Sequence, residues 1–88
     1  MGSSYQVYVI QNENGRFYIG LSEDIDHRLS QHNNGESKYT RGKGPWKLVW
    51  SSESMELGDA RRLENVLKRA KGGNQVYVIT GLPPRLGS

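Results

Sequence analysis

Tyr5-Gln6-Val7-Tyr8-Val9-Ile10-Gln11-Asn12-Glu13-Asn14-Gly15-Arg16-Phe17-Tyr18-Ile19-Gly20 reads as two strands joined by a tight turn. Both flanks are β-branched or aromatic, and Asn12 to Gly15 supply turn chemistry between them. The loop length decides where the side chains go. A two-residue Asn14-Gly15 turn would pair Tyr8 with Leu21 and send the two phenols to opposite faces, because side chains alternate with period two. A three-residue loop, Glu13-Asn14-Gly15 with Gly15 left-handed, pairs Tyr8 with Gly20 and Ile10 with Tyr18. That register puts both phenols on one face as diagonal neighbours, about 7 Å apart between Cβ atoms, and it is the one expected. Gly20 opposite Tyr8 would then leave bare backbone where a substrate could approach.

A helix follows, from about Glu23 to Asn33, with Ser22 as its cap and Gly35 as its stop. Ile25, Arg28, Leu29 and His32 fall at i, i+3, i+4 and i+7, so an arginine and a histidine share the inward stripe with two apolar residues. Either the arginine snorkels over the core edge and a carbonyl satisfies the histidine, or both serve something at that surface. Residues 35–44 form a basic, glycine-rich loop in which Lys38-Tyr39-Thr40-Arg41 suits a phosphate backbone. Pro45 opens a third strand, where Trp46, Leu48 and Trp50 alternate with Lys47, Val49 and Ser51, and the two tryptophans are expected on one side beneath a helix.

Ser54 can cap a second helix, Met55 to Lys71, ended by Gly72-Gly73. Ala60, Leu63, Val66, Leu67 and Ala70 form its expected buried stripe, with Arg61, Arg62, Asn65 and Arg69 outward. Glu64 lies about 40 degrees from the centre of that stripe by the 3.6-residue repeat. A carboxylate there either pairs with Lys68 at i+4 or coordinates something. Gln75 to Ile79 repeat Gln6 to Ile10 letter for letter, as shared strand composition, and are read as an edge strand or a cover for the core. Pro83 and Pro84 end regular structure.

At 88 residues there is room for one domain, read here as residues 5–82 with flexible ends at 1–4 and 83–88. The absence of cysteine excludes a disulfide framework and thiolate chemistry and suits a reducing compartment, and two histidines argue against an all-protein zinc site. No apolar run approaches membrane-spanning length and no hydrophobic signal region opens the chain, so a soluble, cytoplasmic protein without a membrane partner is expected. Twelve Lys and Arg against nine Asp and Glu give a charge of +3, with basic clusters at 38–47 and 61–71 that suit a polyanion or an ordinary solvated surface.

Val7-Tyr8, then Tyr18-Ile19-Gly20, Asp24-Ile25, Arg28-Leu29, His32-Asn33, Lys38-Tyr39-Thr40-Arg41, Pro45-Trp46-Lys47-Leu48-Val49 and Asp59-Ala60 with Glu64 stand in an ordered series. The series resembles the GIY-YIG endonuclease signature, most closely the small stand-alone, single-domain members related to the Slx1-type nucleases. The resemblance implies an α+β fold, a three-stranded antiparallel sheet flanked by helices. It implies a DNA phosphodiester as substrate, in repair or recombination, and one Mg2+ or Mn2+ on the Glu64 carboxylate. Tyr8 is the candidate general base, with Tyr18 holding water or phosphate, as the family's two tyrosines are thought to do. An ordinary phenol is too weak a base at neutral pH, so either nearby cations favour its phenolate or it acts by relay through His32. Arg28 is placed to donate paired hydrogen bonds to nonbridging oxygens. Gly20, Lys38, Tyr39, Arg41 and Lys47 are the candidate nucleic-acid contacts.

Gln6 replaces the glycine that names the family signature, a change a strand tolerates, and Leu21 stands where excision-repair relatives carry lysine. Asn74 does not align securely with the asparagine that many relatives place beyond the metal glutamate. A binding module on the same fold that has lost activity, or a small protein-interaction domain with a basic face, are the competing readings. With no separate DNA-reading domain in the chain, selectivity would come from substrate shape, a protein partner or oligomerisation of a monomer or weak dimer.

Overall fold

A computed structural model describes residues 4–69, 80 and 81. In chain order it has strands β1 (Gln6–Gln11) and β2 (Phe17–Ser22), helix α1 (Ile25–Asn33), strand β3 (Lys47–Ser51) and helix α2 (Leu57–Arg69). The sheet is antiparallel in the order β2-β1-β3, the expected α+β arrangement. The end of the second helix at Lys71, Ala70 in its stripe, and the 74–82 segment lie outside the described residues or nearly so. Among the described residues no helix is long and apolar enough to cross a membrane.

The hairpin register is the one the three-residue loop dictates: Tyr8 faces Gly20 and Ile10 faces Tyr18. Gly15 takes φ 81°, and Gly15 N donates to Asn12 O at 3.0 Å. Asn12 Oδ1 accepts from Asn14 N and Arg16 N, so one side chain folds the turn on itself. Asn12 Nδ2 also donates to Lys43 O at 3.0 Å and ties the hairpin tip to the loop after α1.

Alternation splits the core in two. Val7, Val9, Phe17 and Ile19 pack beneath α2 with Ala60 and Leu67, while Tyr8, Ile10, Ile25 and Trp46 form the other face, with Tyr18 and Leu29 against them. Burying each large apolar side chain contributes roughly 1.5–3 kcal/mol. α2 holds its face through Ala60 and Leu67; Val66, expected inside, is 41% exposed, because two fully buried positions seven residues apart already fill the contact with the sheet.

Three expectations need correction. The tryptophans lie on opposite faces: β1 pairs Val9 with Trp50 but Ile10 with Leu48, a bulge that adds one residue to β3 and turns Trp50 toward α2 while Trp46 stays with Tyr8. α1 begins later than expected. Ser22 Oγ closes a local turn by accepting from Asp24 N, leaving Asp24 as the cap that accepts from His27 N. α2 begins at Leu57, since Met55 and Tyr5 exchange both backbone hydrogen bonds and the first helical bond runs from Ala60 N to Glu56 O. Ser54 therefore precedes the bridge at Met55, not the first helical residue.

Candidate active site

Tyr8 and Tyr18 share the α1 face of the hairpin with ring centroids 6.5 Å apart. Tyr8 is 2% exposed and its ring crosses directly over Gly20. A Cβ at Gly20 would sit 2.5 Å from the Tyr8 hydroxyl oxygen and 2.7 Å from Cζ. The bare backbone expected to admit substrate is thus covered by the phenol itself, and Gly20 is buried. The glycine is needed for close approach: only a residue without a side chain lets the Tyr8 ring lie across β2.

His32 comes to the same point from α1. Its Nε2 lies 2.8 Å from Tyr8 Oη, and its ring is 4.8 Å from that of Tyr18, edge to face. Its Nδ1 lies 2.7 Å from Thr40 Oγ1. Tyr8, His32 and Thr40 are all nearly inaccessible, so the chain of three runs through the interior. Asn33, next in the helix, clasps the far end of the loop by accepting from Trp46 N at 2.7 Å and donating to Trp46 O at 3.0 Å. Trp46 Nε1 in turn donates to Thr40 O. The loop is therefore fixed at both ends against the helix that carries the histidine.

Burial pushes the Tyr8 phenol up to about 12, with Tyr18 and Glu64 adding to the rise and Arg28 opposing it. Of the two routes open to the phenol, the protein by itself does not favour the phenolate, because loss of solvation outweighs one nearby guanidinium. His32 is pushed down to about 4, by burial and then by the Arg28 charge. At neutral pH both groups are uncharged.

Arg28 is half-buried, one turn before His32, and donates to Gln31 Oε1 at 2.9 Å. Glu64 stands on α2, which packs on the other face of the sheet, and its charge acts on the Tyr8 phenol. Its side chain is only 13% exposed, and Oε2 meets Lys68 Nζ at 3.1 Å. Lys68 with Arg16, Lys43, Tyr18, Tyr39 and Trp46 lines an adjoining hollow of about 400 Å³. Tyr39 stands there 74% exposed among three cations. Lys38 and Arg41 are exposed nearby, Arg41 donating to Gly35 O. Lys47 lies apart, on a second hollow with Gln11, Glu13 and Pro45.

The expected residues Tyr8, Tyr18, Arg28, His32 and Glu64 thus come within electrostatic or direct contact of Tyr8. Two participants escaped the sequence reading. Thr40 was grouped with the basic loop, and a loop has no periodicity to say which hydroxyl turns inward. Arg16 was not singled out, because it joins Lys43 of the basic loop only once the chain folds, with the Asn12 bond tying the hairpin tip to that loop. Among the described residues no three His, Asp or Glu gather into a metal cage. Glu64 offers a single, largely buried carboxylate, a hard oxygen donor of the kind that suits Mg2+ or Mn2+ completed by water and phosphate.

The family described as the GIY-YIG catalytic domain matches residues 4–77. A UPF0213 protein of Aeromonas hydrophila is 41% identical over 79 residues, which span 89% of this chain and 58% of that protein. A GIY-YIG domain-containing protein of Invertebrate iridescent virus 6 is 36% identical, over 88% of this chain and 80% of its own length. The solution NMR structure of a UPF0213 protein from Bacillus halodurans superposes with a TM-score of 0.55 at 30% identity, covering 86% of this chain and 82% of that one.

Proposed function

Because the chain belongs to the GIY-YIG family, we propose that it is a divalent-metal-dependent endonuclease that hydrolyses DNA phosphodiester bonds, selective for DNA structure in repair or recombination. The observation that carries this reading is the meeting of two phenols, an imidazole, a guanidinium and a carboxylate, drawn from β1, β2, α1 and α2, around Tyr8. Hydrolysis needs an activated water, charge to offset the phosphoryl oxygens and help for the leaving oxygen.

Tyr8 works by relay. A phenol near 12 is not ionised at neutral pH, so it takes a proton from the attacking water as it passes its own to His32 Nε2, 2.8 Å away. A phosphate brings negative charge beside Arg28, which offsets the guanidinium's effect on His32 and makes the ring more basic when the proton moves. Arg28 donates to the nonbridging oxygens with the N–H groups that Gln31 leaves over, and Tyr18 orients the phosphate or water. Glu64 would hold one Mg2+ or Mn2+, whose charge supplies Lewis-acid stabilisation of the phosphoryl and leaving oxygens. The strand would leave the site through the hollow bearing Arg16, Lys43, Lys68 and Tyr39.

The test is incubation of purified protein with branched, nicked and plain duplex DNA, with Mg2+ or Mn2+ and with EDTA. Metal-dependent cleavage supports the proposal. Salt-sensitive binding without cleavage would leave a nucleic-acid binding module on this fold, and neither outcome would leave a protein-interaction domain.

A further inference from the structure

Thr40 lies behind the histidine, on the side away from the phenols. Its Oγ1 is 2.7 Å from His32 Nδ1, while Nε2 is 2.8 Å from Tyr8 Oη. A neutral imidazole carries one ring proton, so these two hydrogen bonds run with opposite polarity: one nitrogen donates and the other accepts. Arg28 decides which. Its guanidinium lies close enough to act on the Tyr8 phenol, and a hydroxyl beside a cation turns its oxygen, not its O–H, toward the charge. The Tyr8 O–H is then directed to Nε2, and the ring proton sits on Nδ1, facing Thr40.

We infer that Thr40 is a positioning residue for the proposed hydrolysis: its buried hydroxyl oxygen accepts from Nδ1–H and holds His32 in the tautomer whose Nε2 can take the Tyr8 proton. The role in turnover rests on the nuclease reading, whereas the tautomer belongs to the resting protein and is measured without DNA. In the reaction, water gives a proton to Tyr8 Oη and Tyr8 gives its own to Nε2. The hydroxide oxygen bonds to phosphorus as the bond to the leaving oxygen breaks, and that oxygen takes a proton from solvent. The imidazolium so formed still donates from Nδ1 to Thr40, so the hydroxyl serves both states without rotating.

Thr40 is built for a fixed place. Its N donates to Ser37 O, and its carbonyl accepts from both Lys43 N and Trp46 Nε1. A threonine that only filled space would need none of this alignment toward Nδ1.

The test pairs ring nitrogen NMR of His32 with single-turnover cleavage, in wild type, Thr40→Val and Thr40→Ser. Wild type should show Nδ1 protonated and Nε2 bare at neutral pH. Thr40→Val, of nearly equal shape, should shift the ring toward the Nε2-protonated form and lower turnover about 10²-fold, the low end of what general acid–base help contributes, with KM for DNA unchanged. Thr40→Ser should restore both. A wild-type ring protonated on Nε2 overturns the inference, even if the valine variant fails to fold. A valine variant that cleaves at the wild-type rate also overturns it while leaving the nuclease reading intact; failure of wild type to cleave any DNA sinks that reading and the role in turnover with it.

Discussion

Replacing Gly20 with alanine puts a methyl where the Tyr8 phenol already lies. The added carbon would stand 2.5 Å from the hydroxyl oxygen, so the phenol must recede by roughly 0.9 Å to reach ordinary contact at 3.4 Å. The backbone is no obstacle, because Gly20 lies within β2 and is not among the glycines with positive φ. At such a position alanine alone would stabilise the fold by about 0.4–1 kcal/mol through the unfolded chain. Overpacking costs roughly 1–3 kcal/mol, so Gly20→Ala should be destabilising by about 1–2 kcal/mol. A shift of that size also disturbs the 2.8 Å contact between Tyr8 Oη and His32 Nε2. A misplacement near 1 Å can cost about 10²-fold in rate. Urea denaturation and single-turnover cleavage read the two effects. In a Tyr8→Leu background the alanine should become neutral or stabilising, since the contact is gone. The same penalty in both backgrounds, or a Gly20→Ala protein that cleaves at the wild-type rate, would refute the reasoning.

Other outcomes follow from the same geometry. His32 is held below its unfolded value, so it contributes stability at pH above 6.5 that is lost as pH falls through about 4. The loss should approach about 3 kcal/mol at 1.36 kcal/mol per unit, and denaturation at stepped pH should show the slope flattened in His32→Gln; an equal slope in the variant removes His32 as the cause. Arg28→Lys should fold normally yet lose most activity, because a point charge cannot make the paired contacts of a planar fork, and unchanged turnover would show that the fork is not used. Tyr8→Phe should abolish cleavage with DNA affinity nearly intact, whereas weakened binding at a retained rate would make Tyr8 a binder rather than a proton carrier.

The hairpin was legible because local chemistry and alternation agree: Gly15 sets the loop, the loop sets the register, and the register puts both phenols on one face. The helical stripe of Ile25, Arg28, Leu29 and His32 was legible for the same reason, and His32 is indeed buried on it. The family signature and the fold it implies stand together. What escaped depends on contacts that no single segment contains. Ser22 and Asp24 are both competent caps, and a hydrogen bond between them decides which one serves. Met55 looks helical until Tyr5 takes its backbone groups. The bulge in β3 reverses Trp50 without leaving a mark on the alternation of Trp46, Leu48 and Trp50. Glu64 was read as either paired or available to a ligand; the structure pairs one oxygen with Lys68, and the carboxylate's charge acts on Tyr8.

The claim that everything else depends on is that Glu64, across the sheet from α1, belongs to the same site as Tyr8 and Arg28. Single-turnover cleavage of DNA by wild type and Glu64→Ala, each with Mg2+ and with EDTA, tests it most directly once melting curves show both proteins folded. The account predicts cleavage by wild type with Mg2+ alone and none by Glu64→Ala at any metal concentration; a Glu64→Ala protein that cuts with Mg2+ as wild type does would contradict it.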